Sequence, residues 1–93
     1  MNKEALIAYF KKLCKELKDA KSLYETALRG FRYNAEQVVS KVLIAIDVCD
    51  NWAISVQIAR KKFDTINNMA LVFIGFFENE IPELNDIYEE AIK

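Results

Sequence analysis

Residues 6–31 read LIAYFKKLCKELKDAKSLYETALRGF, and the apolar positions of this stretch decide the fold. They recur at alternating intervals of four and three residues, at Leu6, Phe10, Leu13, Leu17, Ala20, Tyr24, Ala27 and Phe31. The rhythm resumes at Ala35, Val38, Val42, Ala45, Cys49, Trp52, Val56, Ala59, Phe63, Ile66, Ala70, Phe73 and Phe77. This spacing keeps one apolar side chain per turn on a single helical face, which predicts helices packed by knobs into holes.

The 93 residues are expected to form one domain, residues 1–93. The predicted fold is all-α: a small antiparallel helical bundle with heptad-like packing. We expect four helices, at 3–29, 35–65, 69–79 and 82–92, or five if the second one breaks. The side chains that we expect to be mostly buried are Leu13, Leu17, Val42, Trp52, Val56 and Phe63.

Polar and turn-forming residues set the predicted helix ends. Asn2 is a candidate N-cap for the first helix, and Gly30 is a candidate left-handed stop for it. Breaks are expected at 65–68 and at 50–51, because Asp, Asn and Thr side chains compete with the helical backbone for hydrogen bonds. Pro82 suits the first turn of the last helix.

The apolar content, 53% of residues, is high for so short a chain. A domain of this size has a thin core, so we expect either a homodimer or a stable protein partner; a well-filled monomeric bundle is the alternative. No apolar run approaches the ~20 residues of a membrane-spanning helix, and no signal peptide is recognisable, so a cytoplasmic location is expected.

Several apolar side chains fall outside the main rhythm. On an unbroken second helix, Ile44, Ile54 and Ile58 lie in or beside the polar face and form a narrow second strip, which is typical of a docking surface. A break at 50–51 would instead turn Ile54 and Ile58 into the core. The 69–77 segment is apolar almost all round, so its phenylalanines belong to the core or to an oligomer interface. The candidate partner-binding residues are Ile44, Ile54, Ile58, Phe73, Phe76 and Phe77.

Charge is distributed unevenly along a chain whose net charge is −1. Residues 1–33 contain eight Lys and Arg against four Asp and Glu, whereas residues 34–93 contain five against ten. Lys11, Lys15 and Lys18 fall on one face of the first helix and form a candidate basic ridge for phosphates or an acidic protein. An ordinary solvated face is the favoured interpretation, and the acidic pI of 5.4 argues against nucleic acid as the partner.

Catalytic and cofactor motifs are missing from the sequence. The chain has no His, which removes the commonest general base and zinc ligand, and two glycines cannot form a phosphate-binding loop. We therefore expect no enzyme activity, no cofactor and no metal site. Cys14 and Cys49 are expected to be unpaired, with Cys49 buried and Cys14 the more accessible thiol.

Three functions are compatible with these features. The first is a non-catalytic protein–protein interaction protein: a small helical regulator, inhibitor or subunit that acts by surface occlusion or assembly, of the kind that bacteria, phages and mobile elements encode. The chain also resembles bacteriocin-immunity bundles in size, helix count and cytoplasmic setting, which implies an immunity function as the second. The third is a nucleic-acid-binding module that uses the Lys11/Lys15/Lys18 ridge.

Overall fold

A computed structural model describes the backbone of residues 2–40 and 44–93, and their side chains except those of 37–40, 44–47 and 49. These described residues form three α-helices and contain no strand: α1 is Lys3–Ser40, α2 is Ile44–Phe77 and α3 is Leu84–Ile92. The all-α prediction is confirmed. The prediction of four or five helices is wrong, because the predicted interruptions at 30–34, 50–51 and 65–68 all lie within continuous helix.

Gly30 lies inside α1 and does not end it. Its backbone is not in the left-handed region, and its carbonyl oxygen accepts a hydrogen bond of 2.8 Å from Asn34 Nδ2. A Cβ atom at this position would lie 2.7 Å from three atoms of the Trp52 ring. The glycine therefore permits a close approach of α2 to α1. It does not have the predicted role of ending the first helix.

α2 continues through both predicted breaks. The Thr65 hydroxyl donates to the carbonyl oxygen of Lys61, one turn back, at 2.8 Å, so it adds to the helical hydrogen bonds and does not replace them. The Asn67 side-chain oxygen accepts a 2.6 Å hydrogen bond from the Tyr88 hydroxyl of α3. Because these side chains form hydrogen bonds without displacing the backbone hydrogen bonds of the helix, the helix is not interrupted.

α1 and α2 form an antiparallel hairpin. The Phe10 and Phe73 rings lie 5.1 Å apart near one end. Farther along, the Tyr24 and Phe63 rings lie 6.2 Å apart. The Gly30–Trp52 contact continues the pairing towards the end at which α1 leads into α2.

α3 packs beside the open end of this hairpin and runs parallel to α1. Near its start, Lys3 Nζ lies 3.9 Å from a Glu83 carboxylate oxygen. At its end, Lys21 Nζ donates to the carbonyl oxygens of Ile92 and Lys93, the latter at 3.1 Å. α3 therefore covers α1 only as far as Lys21. We call residues 2–21 with 66–93 the base, and residues 22–40 with 44–65 the arm.

The core lies in the base. Its buried side chains are Phe10, Leu13, Cys14, Leu17, Ala20, Ile66, Ala70, Ile74, Ile81 and Leu84. Among the described side chains of the arm, Ala27 alone is a buried hydrophobic residue. The predicted burial of Leu13 and Leu17 is confirmed, whereas the remaining predicted core residues Trp52, Val56 and Phe63 are only half-buried and Val42 lies outside the described residues.

The helix ends follow local chemistry. The Ala5 amide donates to Asn2 Oδ1 at 3.2 Å, which confirms the predicted N-cap. α3 begins at Leu84, two residues later than predicted, and Pro82 lies in the turn that precedes it. Ile81 and Leu84 are almost completely buried, so this turn is anchored to the core on both sides of the proline.

The molecule is a rod of 59 × 18 × 17 Å. Its radius of gyration is 17.8 Å, well above the ~13 Å of a compact chain of about this length. Two long helices with a third at one end produce this shape, and they leave long helical faces that no other described residue covers.

Candidate interaction surface

One side of α2 carries a row of apolar side chains that nothing in the described structure covers. Phe76 is 74% exposed, Ile58 66% and Val72 57%. The row is exposed throughout, recurs mainly at intervals of three and four residues, and is interrupted only at Lys61 and Lys62. We call it the outer stripe and define it as Ile54, Ile58, Thr65, Met69, Val72 and Phe76.

α1 supplies a wall for the stripe at the base. Tyr9 and Leu13 of α1 form an open groove of about 520 Å³ with stripe residues of α2 that include Met69, Val72 and Phe76. The Tyr9 ring packs 5.6 Å from Phe73, so its position is fixed by the core although half of its surface is exposed. The surface is therefore a groove with apolar walls on two rigid helices.

The heptad rhythm of α2 explains why this surface exists. The residues of α2 that pack against the core at the heptad spacing form an inner stripe: Phe63, Ile66, Ala70, Phe73 and Phe77. Each outer-stripe residue near the C-terminal end of α2 directly precedes one of them, as Met69 precedes Ala70 and Phe76 precedes Phe77. Adjacent positions point about 100° apart, so the helix presents two apolar stripes side by side. α1 covers the inner stripe, while α3 lies against the opposite flank of α1 and leaves the outer stripe open.

The predicted partner-binding residues divide between core and surface. Ile54, Ile58 and Phe76 are exposed and lie on the outer stripe. Phe73 and Phe77 pack against the core cluster with their rings 4.8 Å apart, so they are structural. The alternative in which a break at 50–51 buries Ile54 and Ile58 is wrong, because α2 is continuous there. The Ile44 side chain lies outside the described residues.

Sequence reasoning missed Tyr9, Met69 and Val72. The 69–77 segment is apolar nearly all round, which suggested burial on every side. The spacing in the sequence could have located this surface. Met69, Val72 and Phe76 follow one another at intervals of three and four residues, on the same flank of the helix as Ile58.

The basic ridge faces acidic residues of the same chain. Lys11, Lys15 and Lys18 are exposed and border a shallow groove of about 510 Å³ with Asp86 and Glu90 of α3. None of the three lysines forms an ion pair with a residue of the described part of the chain. The acidic side of α3 nevertheless weakens the positive field that an anionic partner would meet.

Cys14 is buried and not accessible, while its predicted difference in accessibility from Cys49 stays a prediction. Its side chain is 4% exposed and faces Ile87 and Ala91 of α3. Burial raises its pKa from 9.0 to about 11, because a thiolate is poorly solvated there. The thiol is therefore a small core group and not a nucleophile. The Cys49 side chain lies outside the described residues.

A search for metal-binding chemistry gives no candidate within the described residues. No group of three or more His, Cys, Asp or Glu side chains in that part is placed to hold a metal ion. The buried side chains of the described residues include none that is polar or charged. None of the described helices combines the length and apolar character required to cross a membrane.

No family model, curated protein or solved structure matches this chain. The outer stripe and the groove beside it are the structural features that bear on its function.

Proposed function

We propose that this chain is a non-catalytic protein–protein interaction protein that docks the outer stripe of α2 against another protein chain. It acts as a small helical regulator, inhibitor or subunit, by occluding a surface or by assembly. The observation that carries this proposal is an exposed, mainly apolar row from Ile54 to Phe76, on a helix whose adjacent apolar stripe packs against α1.

The exposed area of the stripe supports a specific interface. Tyr9 and the five apolar stripe residues are each about half to three-quarters exposed. At about 100 Å² per side chain they offer roughly 600 Å², which approaches the ~800 Å² per partner of a standard interface. Phe76 is the natural anchor, because large aromatic side chains carry much of the binding energy of an interface once they are desolvated.

The stripe is also well suited to recognise a helix. Its side chains follow one flank of α2 at intervals of three and four residues, and Tyr9 walls the groove on the α1 side. A helix that lies in such a groove presents its own apolar residues at the same intervals. We therefore expect the partner segment to be helical.

Variants of α2 test the proposal. A tagged chain is used to recover partners from extracts of the native host, with Phe76→Glu and Val72→Glu as the stripe variants. Leu71→Glu is the matched control, because Leu71 is 46% exposed on the same helix but lies on another face. We expect a stoichiometric protein with the wild-type chain and the control, and its loss with both stripe variants. A desolvated carboxylate at an interface costs several kcal/mol, whereas an exposed one costs little.

Equal binding by all variants, with helicity intact by circular dichroism, would refute the proposal. The double variant Lys11→Glu with Lys15→Glu tests the nucleic-acid alternative: if it abolishes binding while Phe76→Glu does not, the partner is anionic. No observation on the ridge favours that alternative, since Asp86 and Glu90 lie beside it. The resemblance to bacteriocin-immunity bundles loses support, because it rested partly on the expected helix count.

A further inference from the structure

We infer that the outer stripe binds a second copy of this chain, with the two α2 helices antiparallel and the two-fold axis beside Thr65. This inference rests on the proposed function, because it names the partner of the same surface. Three features support a second copy: the order of residues in the stripe, the charges on its α1 flank and the position of α3.

Apolar residues of the outer stripe are placed symmetrically about Thr65. Ile54 and Phe76 each lie eleven residues from it, and Ile58 and Val72 each lie seven. A two-fold interface pairs residue i of one copy with residue j of the other, and j with i. With the axis at Thr65, apolar residues therefore oppose apolar residues.

The interruption of the stripe also fits this symmetry. Lys61 and Met69 each lie four residues from Thr65 and would oppose each other. The aliphatic stem of a lysine packs well on a methionine while its ammonium group reaches solvent. The polar Thr65 hydroxyl, which lies at the axis, is already satisfied by the Lys61 carbonyl oxygen of its own helix. No buried polar group would be left without a partner at these positions.

Charges on the α1 flank match those of a second copy. Tyr9, Glu16 and Leu23 follow one another at intervals of seven residues, so they share the flank of α1 that borders the stripe. The ring contacts Phe10–Phe73 and Tyr24–Phe63 place Glu16 midway along, beside the start of the base portion of α2.

The two-fold axis brings the Lys62 region of the second copy to the same level as Glu16. Within the described part of the chain, neither Glu16 nor Lys62 has an ion-pair partner, and both are exposed. An acidic and a basic group from different copies would therefore meet twice, once on each side of the axis. The same arrangement brings Tyr9 near Ile58 of the other copy, and Leu23 near Met69.

α3 leaves this surface free. It lies on the other flank of α1, beside Lys11, Cys14, Lys15 and Lys18. A second α2 on the outer stripe would thus complete a four-helix arrangement from the two hairpins, with each α3 on the outside. The roughly 600 Å² of apolar surface per copy, together with the flanking polar groups, approaches the ~800 Å² per partner of a standard-size interface.

Engineered cysteines test the pairing directly. In a Cys49→Ser background, with Cys14 left in the core, we expect Thr65→Cys to form a disulfide between copies. Ile58→Cys and Val72→Cys should cross-link when mixed, at least about tenfold faster than either does alone, since identical positions would lie about 21 Å apart. Leu71→Cys is the control on another face and should not cross-link.

Light scattering supplies the second readout. The wild-type chain should have twice the monomer mass of 10.8 kDa, Phe76→Glu should be monomeric and Leu71→Glu should remain dimeric. Glu16→Lys should weaken the dimer, and adding Lys62→Glu should restore it. A wild-type monomer at millimolar concentration, or cross-links between Ile58→Cys and itself, would overturn the inference. If the chain is monomeric while Phe76→Glu still abolishes binding of another protein, this inference fails and the proposed function stands.

Discussion

The base and the arm are built from the same two helices and the same heptad rhythm, yet they differ in packing. In the base, α3 closes one side of the α1–α2 pair, and ten side chains form a buried cluster. In the arm, two helices face only each other, and Trp52, Val56 and Phe63 remain half-buried although they occupy the same rhythm. A heptad stripe therefore specifies which face is apolar, whereas burial depends on how many helices surround it.

The difference in packing also determines how much a single residue contributes to stability in each region. A buried residue of the base, such as Leu17, is surrounded on all sides, and its loss leaves a cavity. A residue of the arm has solvent on one side, so the structure adjusts around a smaller side chain. We expect the two regions to respond differently to the same substitution.

The largest expected effect compares leucines of α1. Leu17→Ala should lower the free energy of unfolding by about 2–5 kcal/mol, because Leu17 is fully buried in the base. Leu28→Ala, at a half-buried site of the arm, should cost about 1–2 kcal/mol. Urea unfolding at one fixed protein concentration measures both. Equal losses at Leu17 and Leu28 would remove the distinction between base and arm.

Two glycine substitutions, one in the arm and one in the base, are expected to change the stability of the chain in opposite directions. Gly30→Ala places a Cβ 2.7 Å from the Trp52 ring, so we expect the ring to move and stability to fall by about 1 kcal/mol despite better helix propensity. Gly75→Ala, where nothing lies within 4 Å of the new Cβ, should stabilise the chain by up to about 1 kcal/mol. Trp52 is the only tryptophan, so its emission spectrum reports the change in the arm. An unshifted emission maximum in Gly30→Ala would contradict the close contact.

Substitution of Lys21 tests whether the docking of α3 accounts for the burial of side chains in the base. Lys21→Met deletes the hydrogen bonds to the Ile92 and Lys93 carbonyl oxygens, and we expect a loss of about 1 kcal/mol. Cys14 should also react faster with a thiol reagent, since α3 covers it. Lys12→Met is the control, because Lys12 is exposed, does not border the groove beside Cys14 and makes no ion pair in the described structure. No change in Cys14 reactivity would show that α3 does not depend on Lys21.

The last effect concerns pH and is confined to the base. The pKa of the Cys14 thiol is raised from 9.0 to about 11 in the folded chain, so between these values the folded state holds a proton that the unfolded chain has lost. Stability from this group is complete below pH 9.0 and is lost as the pH rises through about 11. The difference in unfolding free energy between the wild-type chain and Cys14→Ala, measured across this range, isolates it from other groups. A difference that does not vary with pH would contradict the shift.

Helical class and the inner stripe could be predicted from the sequence, because the rhythm at Leu13 and Leu17 depends only on helix geometry. The continuity of the helices through their interior could not be predicted in the same way. Gly30 and the 65–68 segment have local preferences for a break, but contacts from distant residues, Trp52 and Tyr88, use the same groups within continuous helix. Tertiary contacts of this kind override local propensity and are invisible to local reasoning.

The candidate surface was predicted in part for a related reason. Ile54 and Ile58 stand out among polar neighbours, so their strip is visible in the sequence. Val72 and Phe76 do not stand out, since the whole 69–77 segment is apolar. Which side of that segment is open depends on where α3 docks, and α3 packs on the Cys14 side of α1 through contacts that no local pattern encodes.

The hairpin has a further consequence for the order of folding events. Contacts of the buried core, such as Phe10 with Phe73, close long loops, whereas Gly30 with Trp52 closes a much shorter one. Loop-closure entropy grows with the number of residues enclosed, so the base assembles at a greater entropic cost if nothing has formed before it. Early pairing in the arm shortens the remaining loop and aligns the two helices in register. The weakly packed arm would then govern the folding rate, while the base governs how long the folded chain persists.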